Sequence, residues 1–377
     1  MFDFTLVMLI SLGLGLLAGG VMHRADFCMT ATFRDLFLFR STTLPAALLV
    51  LVTVSAVLFE GLHLAGALVQ FPLPAYGLPS LASLCGGILF GIGMVLAGGC
   101  VVGILYRLGA GARLSLWGLA GLIAGSALYA EIHPLWSTFA KTTTFAAAVT
   151  LPQWSGLPPW IFVLALVAVT GLTIWRYPAA FVPPVGWRAV AGYIPPVYAA
   201  LALAGIGALS VVLLGVPMGV TTSYAKVAAV LEQALLSEHF AATEFFQGQT
   251  LDLTLPLAAQ PLRGGPGPDF DGIAAIQYPL IIGIVLGAAL SAWHLGEWHG
   301  HEGATRRQQF SVLCGGFLMG LASRMTPGCN VWHLWGGLPI FAGQSILFLL
   351  GILPGAWFGG RLLLRWVLPD DHQGGRR

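Results

Sequence analysis

The chain has 377 residues, 57% of them hydrophobic and only 8% charged, with a net charge of +2 and a mean hydropathy of +0.85. Soluble domains carry roughly a quarter charged residues, so this composition excludes a water-soluble fold. The basic residues are scattered among polar stretches rather than gathered on one face, which excludes nucleic acid as a partner and leaves the lipid bilayer as the surroundings.

An apolar run over 4–22 predicts the first membrane span. Asp3 precedes it and His23-Arg24 follow it. A secretory signal has a basic start and a small-residue cleavage site, so this span reads as retained. At about 20 residues per crossing, further spans are predicted at 44–60, 84–106, 115–130, 159–176, 196–214, 278–295, 311–340 and 344–367. The fold class is therefore all-α and polytopic, with about nine transmembrane helices. Arginine marks cytoplasmic loops: Arg24, Arg34 and Arg40, then Arg107 and Arg113, Arg176 and Arg188, Arg306 and Arg307, and at the end Arg361, Arg365, Arg376 and Arg377. Residues 232–271 carry Glu232, Glu238, Glu244, Asp252, Asp269 and Asp271 against one Arg263, as expected outside. The N-terminus is then outside and the C-terminus cytoplasmic. Pro and Gly clusters at 72–79, 152–159, 178–196 and 261–268 read as interfacial turns, and the weakly hydrophobic 237–277 stretch as an external loop.

Two of these spans are broken copies of one another. Cys85-Gly86-Gly87 reaches Gly99-Cys100, and Cys314-Gly315-Gly316 reaches Gly328-Cys329, with Gly91 and Gly320 at the same intermediate point. Five crossings precede the sixth span, so the second copy enters the bilayer upside down. Inverted repeats with interrupted helices meeting near the midplane are a recurring plan of secondary transporters. The predicted halves are 1–190 and 191–377, the second carrying the loop at about 237–277. A weaker echo sets 19–36 against 215–232, with Met22 facing Met218 and Cys28 facing Tyr224.

A bilayer core cannot solvate free backbone groups, so an interrupted helix must face protein or a polar cavity. At Gly98-Gly99-Cys100 and Pro327-Gly328-Cys329 regular helix must stop, and the half-helix beyond each break offers amides and a positive dipole end to an anion. Asn330 is placed to cap the second. A polarisable sulfur guest suits thiols, whose S–H is a weak donor that releases its ligand readily. Cys28, beside His23, Arg24 and Asp26, is the third candidate. Cys85 and Cys314 read as small packed hydrophobes, and the odd count of five cysteines in apolar segments argues against a disulfide framework.

The stretches Arg24-Ala-Asp-Phe-Cys28, Gly98-Gly-Cys-Val-Val-Gly103 and Pro327-Gly-Cys-Asn330 resemble the motifs of the YeeE/YedE family of membrane proteins, which includes thiosulfate uptake transporters. The resemblance covers nearly the whole chain. It implies nine spans with re-entrant cysteine-bearing segments, and three cysteines that pass the ion along by S–H···S hydrogen bonds; here they would be Cys28, Cys100 and Cys329. The segment from Arg324 to Pro339 looks more like a YedE-type subgroup linked to selenium metabolism, and the 215–277 region is longer than a compact member needs.

The expected function is an inner-membrane, non-enzymatic importer of thiosulfate or a related small sulfur anion, without cofactor or resident metal. A selenium-species transporter and a membrane sulfurtransferase holding a cysteine persulfide are the alternatives. The substrate-binding candidates are Cys28, Cys100, Cys329, Gly99, Gly328, Asn330 and Arg324. Arg324, a charge inside a broken span, supplies positive potential to a dianion or ties down backbone carbonyls. A cytoplasmic sulfur-carrier protein is a possible partner. His294, Glu297, His299, His301 and Glu302 have metal-ligand chemistry but no ligand spacing. Trp332 and Trp335 flank His333 and are expected to wall an outer vestibule. No Walker A loop, dinucleotide fingerprint or nucleophile elbow occurs.

Overall fold

In a computed structural model of the protein, the described residues are 4–74, 76–182, 192–257, 260–298 and 304–367. The chain begins with α1 (Thr5–Ala25), which ends at Asp26 in the left-handed region (φ 42°), followed by α2 (Met29–Leu38) and α3 (Thr43–Leu64). α4 (Leu81–Leu96) stops at the first glycine break and α5 (Val101–Gly109) resumes beyond it. α6 (Ser115–Thr142), α7 (Leu151–Ser155), α8 (Pro159–Arg176) and α9 (Pro178–Phe181) lead to α10 (Pro196–Leu214) and α11 (Thr222–Leu235). After α12 (Ser237–Ala242) and α13 (Glu244–Gln247), strands β1 (Leu251–Thr254) and β2 (Pro261–Gly264) pair antiparallel, Leu251 opposite Gly264. α14 (Gly272–Leu295), α15 (Arg306–Met325), a π-helix (Val331–Gly337) and α16 (Gly343–Trp366) complete the chain.

One expectation needs correction. The fold is mostly helical rather than all-α, because the predicted external loop holds the β1–β2 hairpin. Leu251 and Leu253 alternate with polar residues and bury one face, and Leu262 does so from β2. The last residues assigned to that loop, 272–277, belong to α14, which starts where Asp271 accepts a hydrogen bond from the Ala274 amide at 3.0 Å. Eight helical stretches among the described residues are long and apolar enough to cross a membrane, and the segment 311–340, expected as a broken span, is not among them. Its helix, α15, carries Arg306, Arg307 and Arg324, and the segment then breaks before the π-helix. The protein is a multi-pass membrane protein.

Glycine sets how closely these helices approach. In lipid, association is driven by packing, and small-xxx-small pairs let backbones touch. Gly15 of α1 meets Gly283 of α14, Gly287 lies against Leu16, and a Cβ on Gly19 would stand 2.1 Å from the Ile284 carbonyl oxygen. Gly87 and Gly91 of α4 meet Gly351 and Gly355 of α16, and Gly121 of α6 meets Gly316 of α15, with Gly125 against Phe317 and Gly320 against Leu122. The neighbours also fall into matched pairs. α1 packs on α14 and α10 on α3; α4 packs on α16 and α15 on α6; α2 packs on α16 and α11 on α6. α4 also packs on α15, and α1 on α10.

The connections gather at two ends. At one end Ser80 bridges Thr144 and Thr150 bridges Ala342, with Val211 and Gly215 against the 68–74 turn and the hairpin. At the other, the Ile194 amide donates to Arg24, Tyr193 to Glu297, and Trp298 to the Gly109 carbonyl.

Candidate functional site

The first break exists because Ala97-Gly98-Gly99 cannot continue α4: Gly98 adopts φ +69°, a conformation costly for residues with a Cβ. Its freed carbonyl accepts a hydrogen bond from the Arg107 guanidinium, one turn and a half into α5. Arg107 also lies over the Tyr106 ring, and the Tyr106 hydroxyl donates to Asp26 at 2.9 Å. Cys100 caps α5, its sulfur accepting from the Gly103 amide at 3.3 Å. Cys28 caps α2, two residues beyond the kink at Asp26, and its carbonyl is held by the amide and hydroxyl of Thr32. The two thiols are neighbours. They meet over Gly103, where a Cβ would stand 3.1 Å from Cys28 Sγ and 3.4 Å from Cys100 Sγ. Both cysteines are buried.

The second break is held differently. Thr326 caps α15, and its carbonyl accepts from His333 Nε2 at 2.7 Å and from Gln344 at 3.2 Å. A carbonyl only accepts, so Nε2 carries the hydrogen and Nδ1 accepts from the Ser345 hydroxyl at 3.0 Å. Gly328 takes φ +143° and leads into Cys329, which is fully buried and faces the amides of Val331 and Trp332 at the start of the π-helix. π-Helical turns are rare and concentrate at functional sites. Asn330 occupies the cap position but makes no side-chain cap bond, contrary to the sequence expectation. Its amide instead faces Cys100, and neither Nδ2 nor Oδ1 has a hydrogen-bond partner although the residue is 0% exposed. The Asn330 side chain thus lies beside Cys100, while its backbone follows Cys329 directly in the chain.

A cavity of about 240 Å³ opens onto this break, bounded by α6, α11, α13, α14 and the 327–332 segment. Arg324 lines it, 8% exposed, donating to Thr221 Oγ1 at 2.6 Å and to Thr222 Oγ1 at 3.1 Å. Its Nε has no partner, and among the described residues it forms no ion pair. Of the two readings of Arg324, the carbonyl tie is not what it does; Arg107 has that role at the other break. Trp332 lines the cavity as expected, whereas Trp335 is buried against Gly207. His333 fastens the break.

Several residues stand apart. All five cysteines are free, and Cys85 and Cys314 are half-buried on α4 and α15. Of the predicted metal-ligand group, Glu297 accepts from the Tyr193 hydroxyl at 2.7 Å, and burial together with that carboxylate pushes Tyr193 up to about 12. His299, His301 and Glu302 lie outside the described residues, as do Arg188, Arg376 and Arg377. Arg107, Gly103 and Thr221 were missed. Arg107 served only to orient a loop, yet an arginine seven positions after a duplicated cysteine, within an apolar helix, was a usable signal.

The sulphur transport family matches residues 24–358. Over 91% of this chain and 96% of the relative, the sequence is 27% identical to a thiosulfate transporter, TsuA, of Spirochaeta thermophila. A 97-residue stretch is 41% identical to TsuA of Escherichia coli K12, covering 26% of this chain and 27% of that protein. A 135-residue stretch is 35% identical to the probable transporter YedE of the same organism, covering 36% and 31%. With the family match running across both breaks and all three buried thiols, the chain belongs to the sulphur transport (YeeE/YedE) family.

Proposed function

We propose that this protein is an inner-membrane importer of thiosulfate, in which the anion enters the Arg324 cavity and passes Cys329, Cys100 and Cys28 in that order. The observation that carries this reading is the continuity of buried donors: Cys329 adjoins Asn330, Asn330 faces Cys100, and Cys100 meets Cys28 over Gly103. The relatives named thiosulfate transporter support the choice of ion.

Taking a dianion out of water is expensive, several kcal/mol per charge even after relaxation. Arg324 and the half-helix ends offset part of that cost at the entrance. Further in, thiol donors replace hydration with contacts weak enough to be exchanged stepwise. Arg107 supplies positive potential at the inner step, facing Cys28 while fixing the Gly98 carbonyl. Gly99 and Gly328 leave the backbone open to the ion on either side of the two central cysteines.

The matched packing supports reading 1–190 and 191–377 as inverted halves with nine crossings, the broken segments making the third and eighth. α4 then corresponds to α15, α5 to the π-helix, and α6 to α16, with Gly87 and Gly91 matching Gly316 and Gly320. In this correspondence Cys28, the cap of α2, matches Thr221, the cap of α11. That replaces the Tyr224 pairing of the sequence echo and explains why one half carries a third thiol and the other a hydroxyl bound to Arg324. The Thr150–Ala342 end is outside and the Arg24–Ile194 end cytoplasmic, as the arginine distribution requires. The test is uptake of labelled thiosulfate by a transport-deficient strain. Expression of this chain restores it, and Arg324→Gln raises the half-saturating concentration at least about tenfold.

A further inference from the structure

The second break leaves buried polar groups unpaired, and they sit together. Trp332 Nε1, Tyr224 Oη, Arg324 Nε and the Asn330 amide have no hydrogen-bond partner among the described residues. Trp332 and Arg324 line the cavity, Tyr224 faces Cys329 from the first turn of α11, and Asn330 follows Cys329 in the chain. Buried donors are nearly always paired, and leaving one orphaned is costly. Trp332 and Arg324 on the cavity wall, with Tyr224 beside Cys329, point to a ligand that accepts from them.

The indole cannot turn away to find another acceptor. Tyr76 stacks on it at 5.0 Å and donates to the Trp332 carbonyl at 2.7 Å. On its other edges, a Cβ at Gly328 would lie 2.4 Å from Cδ1, and one at Gly219 would lie 3.0 Å from Cε3. Such a donor is preorganised, aimed before the ligand arrives. Its N–H and the Tyr224 O–H are hard, neutral donors, suited to oxygen rather than sulfur.

We propose that Trp332 Nε1 and Tyr224 Oη bind the oxygen atoms of the incoming anion while Cys329 takes its sulfur, so the entrance selects ions carrying both hard oxygens and a soft sulfur end. This rests on the anion-path reading above. It assigns the discrimination against hydrosulfide, which has no oxygen, to two residues with no other assigned role.

The experiment uses the full chain, purified and reconstituted in liposomes, with Trp332→Phe and Tyr224→Phe. Tyr224→Phe removes only the unpaired hydroxyl; Trp332→Phe keeps an aromatic ring but removes the indole's second ring along with the donor. Tyr224→Phe is expected to melt at or above the temperature of the parent, and Trp332→Phe below it because the lost ring leaves a gap. Their half-saturating thiosulfate concentration is expected to rise about tenfold or more, and hydrosulfide should compete better than it does in the parent. Parent-like half-saturation in both variants would overturn the proposal alone, as would lowered melting with unchanged thiosulfate dependence. A parent protein with no thiosulfate uptake would overturn the transport reading and this proposal together.

Discussion

Gly103 decides whether two sulfurs can touch. Its missing Cβ leaves the space that Cys28 Sγ and Cys100 Sγ occupy at 3.1 and 3.4 Å, tighter than carbon and sulfur comfortably share. Gly103→Ala should therefore separate the thiols, lowering uptake at least about tenfold at ordinary membrane levels. Gly61→Ala, where a Cβ meets nothing within 4 Å, should leave uptake unchanged. Arg107→Gln tests the inner step: the external half-saturation should hold while the maximal rate falls, and Arg107→Lys should recover part of it; a shifted half-saturation alone would contradict that placement. At this scale the sequence was informative where residues are duplicated. Cys100 and Cys329 stand out because glycines flank both at the same spacing. Asn330 was recognised as a cap by its position, but its side chain answers to Cys100 across the bundle, a contact no local pattern encodes.

Helix pairing depends on surfaces rather than on spans. The α1–α14, α4–α16 and α6–α15 contacts set glycines against the facing backbone, and the glycine pairs at four-residue spacing are present in the sequence, where Gly91 and Gly320 also mark the duplication. Gly19→Val places its side chain into the Ile284 carbonyl, an overpacking cost of about 1–3 kcal/mol or more, and should lower the melting temperature and membrane yield. Gly13→Val, on an open face, should not. The hairpin region escaped the sequence reading because its strands are four residues long, with alternation too brief to separate from a loop.

The same region holds an exposed linkage: His239 donates toward Glu232 at 2.8 Å and lies 3.4 Å from Glu131. The hydrogen bond to Glu232, then the Glu131 charge, raise the His239 pKa. A raised folded-state value means the linkage stabilises fully below the unfolded pKa of about 6.5 and is lost as pH climbs through the folded value. The melting difference between the parent and His239→Gln should be present in mildly acidic buffer and vanish in alkaline buffer. A difference that grows with pH would contradict this origin.

For the whole molecule, spans and loop grouping were legible because hydropathy and arginine placement act locally, whereas the pairing of halves emerges only from contacts. Loops expected on one side of the membrane do meet in space: 24 with 194, 109 with 298, and 144 with 80. Reporter fusions after Lys141 and after Arg113 should fall on opposite sides of the membrane, the first outside. The inner-end assignment fails if the Arg113 fusion is outside. The path itself is tested most directly by labelled-thiosulfate uptake in cells carrying Cys28→Ala, Cys100→Ala or Cys329→Ala, with the amount of each protein in the membrane measured alongside. The relay predicts that every one of the three abolishes uptake at parental membrane levels; sustained uptake by Cys100→Ala, the thiol between the other two, would contradict it.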